Sequence, residues 1–141
     1  MADLRVVIVD DEPLVRSGLR SLLQDERDVT VVAEARNGIE ALEAIHTHTP
    51  DIVFLDVQMP GMDGFEVLAE IDGAARPAIV FVTAFDEYAI RAFDVHAVDY
   101  LLKPFDSGRF RLALDRARVA SAAGSTDTRL DALLFVLETC L

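Results

Sequence analysis

The chain alternates two hydrophobic periods, and this constrains its fold most. Leu4–Val9, Val29–Ala33, Ile52–Leu55 and Ile79–Thr83 are short, almost unbroken apolar runs rich in β-branched residues; Val98–Leu102 is a fifth, less pure run. Runs without polar alternation fit strands buried on both faces, as in a parallel sheet. Between them the apolar residues fall at helical spacing. After Pro13, suited to a first helical turn, come Leu14, Val15, Gly18, Leu19, Leu22 and Leu23. Asn37 with Glu40 and Asp63 with Glu66 have capping-box spacing, ahead of Ile39, Leu42 and Ile45 and of Phe65 and Leu68. Asp86 is placed to cap a helix carrying Ala89, Ile90 and Phe93, and Asp106 one carrying Phe110, Ala113, Leu114 and Ala117, with Gly124 as a stop. The pattern is (βα)5: a doubly wound α/β fold with a five-stranded parallel sheet.

Right-handed crossovers put all strand C-termini on one edge, where open sheets of this kind bind ligands. The chemistry-bearing residues gather at those ends. Asp10, Asp11 and Glu12 follow the first run, Asp56 the third, Thr83 ends the fourth, and Lys103-Pro104 follows the fifth. Each alone has an ordinary explanation as a cap, a turn or a strand end. Together they describe a site. Neighbouring carboxylates repel unless a cation offsets them, and an all-oxygen set without a nearby histidine suits Mg²⁺ better than Zn²⁺. A carboxylate can attack phosphorus to give an aspartyl-phosphate, while a metal, an ammonium and a hydroxyl stabilise the charge on the phosphoryl oxygens. Asp56, Lys103 and Thr83 are the candidates for those parts. A cis Lys103-Pro104 bond would re-aim the chain so that the ammonium reaches the site.

Composition narrows the class. With 141 residues, 52% of them hydrophobic, the chain holds enough apolar material for a packed core. Its net charge of −12 argues against direct nucleic-acid binding, leaving solubility or a cation cluster as readings of the acidity. No apolar run approaches the roughly 18 residues of a membrane span. The one cysteine, Cys140, excludes an internal disulfide and fits a reducing, cytoplasmic setting. Residues 122–128 read as a linker. Leu130, Leu134, Leu137 and Leu141 then form a helical seam over 129–141, which either folds back or serves as a dimerisation or linker element.

Over residues 4–120 the chain resembles bacterial response-regulator receiver domains of the CheY-like kind. The matching stretches are Val6-Val7-Ile8-Val9-Asp10-Asp11-Glu12, the run from Asp56 to Gly64, Thr83-Ala84, and Asp99-Tyr100-Leu101-Leu102-Lys103-Pro104-Phe105. The resemblance implies a flavodoxin-like sheet in the order 2-1-3-4-5 over a receiver unit of residues 1–121. It implies phosphorylation of Asp56 by a sensor histidine kinase, with Mg²⁺ bound by Asp11, Asp56 and the Gln58 carbonyl and Asp10 acting through water. Lys103 would contact the phosphoryl group and pair with Asp56 in its absence; Thr83 and Tyr100 would be the switch residues. Gln58 and Phe85 would flank the phosphoryl group and govern access of attacking water.

The run from Phe85 to Phe93, followed by Ala97 to Phe105, resembles the LytTR class, in which a receiver precedes a DNA-binding module of strands. DNA would then be reached only through an output domain beyond these residues, so the chain is either a fragment or a short protein. Arg91, Arg109, Arg111, Arg116 and Arg118 fall on or near the last two helices: a solvated face, or a homodimer interface pairing with Asp94, Asp99 or Asp115 of a second copy. Three other classes fit the residues less well. A phosphohydrolase of haloacid-dehalogenase type needs an acid where Gln58 stands. An inactive receiver-like module would not need the complete set of site residues. A flavodoxin-type cofactor binder would not carry acids in its first loop.

Overall fold

The computed structural model describes residues 3–71 and 76–123. Five strands, β1 (Leu4–Val9), β2 (Val29–Ala35), β3 (Ile52–Leu55), β4 (Ala78–Thr83) and β5 (Asp99–Leu102), alternate with five helices. These are α1 (Pro13–Gln24), α2 (Gly38–His48), α3 (Gly64–Glu70), α4 (Ala89–Asp94) and α5 (Ser107–Ala123). All neighbouring strands are parallel and lie in the order β2-β1-β3-β4-β5. This is the expected flavodoxin-like sheet. The order reverses between β1 and β3, which opens a crevice at their C-terminal ends.

The sheet buries both faces by the alternation of its own residues. Val7, Val9, Val53, Leu55, Ile79 and Phe81 point into one core half, closed by Ala41 and Ile45 of α2, Phe65, Val67 and Leu68 of α3 and Ala92 of α4. Val6, Ile8, Ile52, Phe54, Val80 and Val82 point into the other, closed by Leu19 and Leu23 of α1 and by Phe110, Ala113, Leu114 and Ala117 of α5. Phe54 stacks on Phe110 at 5.5 Å between ring centroids. A fully buried side chain of this size contributes about 2–3 kcal/mol by leaving water.

Several local expectations change. β2 runs two residues further than its apolar run, to Ala35, and is mostly half-exposed: it is an edge strand, so it needs apolar residues less strictly. Asp63 and Glu66 form a full capping box on α3. At α2 only half of the box forms, because Asn37 accepts the Glu40 N–H while the Glu40 carboxylate turns to the N–H and guanidinium of Arg36. Asp106 caps α5 by accepting the Arg109 N–H at 2.7 Å. Asp86 does not cap α4. It opens a 3₁₀ turn, Asp86–Tyr88, and the six-residue α4 follows with no side-chain cap. α5 continues through Ala123, so the first two residues of the expected linker are helical. Gly124 and the 129–141 helix lie outside the described residues.

Candidate functional site

The site is assembled from strand ends. The parallel ladder carries the backbone one residue beyond β1 and β3: the Asp10 N–H reaches the Ala35 carbonyl at 3.1 Å, and the Asp56 N–H reaches that of Val9 at 3.0 Å. Both acids are thereby fixed where the sheet stops, Asp10 at 0% and Asp56 at 4% exposure. Thr83, also at 0%, closes β4, and its carbonyl accepts the Lys103 N–H at 2.8 Å. The Lys103-Pro104 peptide is cis, and Lys103 turns into the crevice.

One carboxylate oxygen from each of Asp10, Asp11, Glu12 and Asp56 lies within 4.8 Å of the others. The Lys103 ammonium sits among three of them: 2.9 Å from Asp10, 3.5 Å from Asp56 and 3.5 Å from Glu12. Lys103 thus pairs with Asp56, as the resemblance implies, and lies nearer still to Asp10. The Asp10 carboxylate accepts the Glu12 N–H through Oδ1 at 2.9 Å. Its buried Oδ2 is within ion-pair distance of Lys103 but makes no hydrogen bond of good angle.

Burial, and then the neighbouring charge of Asp10, pushes the Asp56 carboxyl up to about 7 from its ordinary 3.8. Burial also raises Asp10, against the Glu12 N–H and Lys103. For Lys103, burial works downward, but the close ion pair with Asp10 and the charges of Asp56 and Glu12 outweigh it, so its affinity for a proton rises. Such a cluster has more negative charge than one ammonium balances. Its donors are all hard oxygens, so the described residues can hold a divalent metal ion.

The walls are equally local in origin. Gly64 must be glycine, because a Cβ there would lie 2.5 Å from the Asp56 carbonyl oxygen. Its N–H instead donates to the Val57 carbonyl at 2.8 Å, so α3 begins directly against the site. Gly61, at φ +82, supplies the left-handed turn of the intervening loop. The Gln58 N–H donates to Asp56 Oδ1 at 3.2 Å. Thr83 Oγ1 accepts the Phe85 N–H at 3.3 Å, and the Tyr100 hydroxyl donates to the Phe85 carbonyl. Burial pushes that hydroxyl up to about 12, so Tyr100 stays a neutral donor.

Sequence reasoning missed two residues. Arg16, one turn into α1, donates to the Asp10 carbonyl at 2.6 Å and to Glu34 of β2 at 3.2 Å, bracing the end of β1. Tyr88 receives the Gln58 carboxamide N–H on its hydroxyl at 2.8 Å. Neither partnership has a spacing signature. The proposed arginine interface changes most. Arg109 forms a two-pronged pair with Asp99 of its own chain, at 2.8 and 2.7 Å, and Asp99 is buried. Arg118 joins Asp115, Asp28 and Glu26, likewise in its own chain. Asp99 and Asp115 are thus engaged internally. Arg91 lies 4.1 Å over the Phe65 ring.

Comparison with known proteins agrees with this geometry. A family model described as the response regulator receiver domain matches residues 6–115. The transcriptional regulatory protein BtsR of Salmonella typhi is 52% identical over 115 residues, 82% of this chain and 48% of that protein. The chain thus spans about half the length of the curated relatives it matches. Among solved structures, the response regulatory domain of mrkE from Klebsiella pneumoniae superposes with a TM-score of 0.79 at 32% identity, covering 85% of this chain and 99% of that one. The receiver domain of the putative response regulator NarL from Mycobacterium tuberculosis gives a TM-score of 0.75 at 37% identity, covering 84% and 98%. Acids ending β1 and β3, a hydroxyl ending β4 and a lysine after β5, on a sheet ordered 2-1-3-4-5, place this chain in the response-regulator receiver domain family of two-component systems.

Proposed function

We propose that Asp56 is the phosphoacceptor of this receiver and that Mg²⁺ is its metal. The convergence of Asp10, Asp11 and Lys103 on a buried Asp56, with buried Thr83 ending the neighbouring strand, carries the reading. Asp11, Asp56 and the Gln58 carbonyl would hold the ion, with Asp10 acting through water; the unbonded Asp10 Oδ2 suits that part. Bound there, Mg²⁺ would neutralise charge on the phosphoryl oxygens. A carboxylate oxygen of Asp56 attacks phosphorus, and the bond to the donor's leaving group breaks. Lys103 moves its charge from Asp10 towards the phosphoryl oxygens. Thr83 already accepts from Phe85, so its own proton is available to donate to one of them. The domain acts only on itself and is not an enzyme with turnover on a separate substrate.

The donor would be a sensor histidine kinase, and the receiver would act in the cytoplasm. The receiver unit would span 1–121, with the 129–141 segment leading to an output domain or a dimer contact. The LytTR-like run from Phe85 to Phe105, together with a relative named as a transcriptional regulatory protein, supports an output that regulates transcription. Dimerisation on phosphorylation would use the α4-β5-α5 face through exposed Arg91, Arg111 and Asp94, since Asp99 and Asp115 are engaged internally.

Incubation with Mg²⁺ and acetyl phosphate, followed by intact-mass measurement, tests the central claim. A hydroxylamine-labile phosphoryl adduct lost in Asp56→Asn is expected; no adduct on the unsubstituted protein refutes it.

A further inference from the structure

We propose that Tyr88 is a positioning residue that sequesters the Gln58 carboxamide and thereby lengthens the lifetime of the phosphoryl group on Asp56. The inference rests on the reading of Asp56 as phosphoacceptor, and it deepens that reading.

Gln58 follows Asp56 by two residues, and its backbone N–H binds the Asp56 carboxylate. Its side chain is therefore anchored at the lip of the site. A carboxamide there can orient water for attack on phosphorus, as glutamine does in other phosphoryl-transfer sites. In this protein the Nε2 group is committed elsewhere, to the Tyr88 hydroxyl at 2.8 Å.

Tyr88 is itself held on several sides. Its ring packs on Phe65 of α3 at 6.0 Å and edge-on against Phe85 at 6.2 Å. Its backbone N–H faces the Tyr100 hydroxyl oxygen, and that hydroxyl donates to the Phe85 carbonyl. The Tyr88 hydroxyl is therefore an anchored acceptor for the exposed Gln58 side chain.

The reaction concerned is hydrolysis of the acyl phosphate. Water oxygen bonds to phosphorus, the bond from phosphorus to the Asp56 oxygen breaks, and the electron pair leaves on the Asp56 carboxylate. Both water hydrogens depart on dihydrogen phosphate, which then equilibrates with solvent. A carboxamide tethered to Tyr88 does not align that water. A carboxamide released from it does.

The test compares Tyr88→Phe, Gln58→Ala and the double variant with unsubstituted protein. Each is phosphorylated with acetyl phosphate and Mg²⁺, and decay of the adduct is followed by intact mass after donor removal. Tyr88→Phe keeps the ring contacts and loses only the acceptor. Its adduct is expected to decay faster by about 2- to 12-fold, the population that one neutral hydrogen bond of ordinary net strength holds. In the Gln58→Ala background the same substitution should change nothing. Gln58→Ala alone should decay no faster than unsubstituted protein, a check that holds even if Tyr88→Phe folds poorly. Equal lifetimes for Tyr88→Phe and unsubstituted protein, an equal acceleration in both backgrounds, or faster decay in Gln58→Ala each overturns the proposal. Absence of any adduct would instead remove the assignment of Asp56.

Discussion

Replacing Asp56 by Asn should make the metal-free domain more stable at pH 8 and leave it nearly unchanged at pH 4. The native carboxyl titrates at about 7 against an ordinary 3.8, because burial and Asp10 disfavour its charge. Between those values the native state holds a proton that the unfolded state has released, so native stability falls as pH rises through the window and the loss is complete above 7. A shift of that size corresponds to roughly 4 kcal/mol against the ionised form. The amide is free of this loss but remains a buried polar group that only partly replaces the carboxylate's hydrogen bond from Gln58. We therefore expect a net gain of about 2 kcal/mol at pH 8. Urea unfolding in EDTA, followed by far-ultraviolet circular dichroism at pH 4, 6 and 8, reads it directly. The advantage should grow between pH 4 and 7 and then level off. Added Mg²⁺ should shrink it by stabilising the unsubstituted protein more. An advantage independent of pH, or a variant less stable at pH 8, would refute the electrostatic argument.

Three further outcomes follow. Arg109→Ala leaves buried Asp99 with little more than the Tyr100 N–H at 2.7 Å and should lower stability by about 2–3 kcal/mol, with Asp99→Asn in the same chain restoring part of the loss in urea unfolding. Gly64→Ala forces a methyl group against the Asp56 carbonyl and should cost about 2 kcal/mol or more in thermal unfolding while weakening Mg²⁺ binding measured by calorimetry. Phe85→Ala removes the bulk beside Tyr88 and should speed decay of the phosphorylated protein; unchanged or slower decay counts against a shielding role.

Strands buried on both faces declare themselves as apolar runs, so β1, β3 and β4 were legible almost to the residue. β2 was not, because an edge strand tolerates the polar residues that end such a run. The strand-end acids, Thr83 and Lys103 were legible because topology alone brings them to one edge. How Lys103 divides itself was not, since a side chain's preference between Asp10 and Asp56 depends on distances of a few tenths of an ångström. Charge patterning suggested free arginines on the last helices, but composition does not distinguish a guanidinium facing solvent from one clamped to Asp99 ten residues earlier. The Gln58–Tyr88 bond spans 30 residues, from a loop to the 3₁₀ turn, and follows no period at all.

The division of the acidic cluster between two strand ends has a consequence for folding. Asp10, Asp56 and Lys103 are separated by 46 and 47 residues along the chain, and each is placed by a different strand. The acids themselves come only from the segments after β1 and β3, so an ion that needs these oxygens together has no complete site until those two strands pair. Its binding energy is then folding energy, growing with the logarithm of ion concentration. Hydrogen exchange in the presence of the ion should accordingly slow at amides that open only by global unfolding, while fraying helix ends exchange as before.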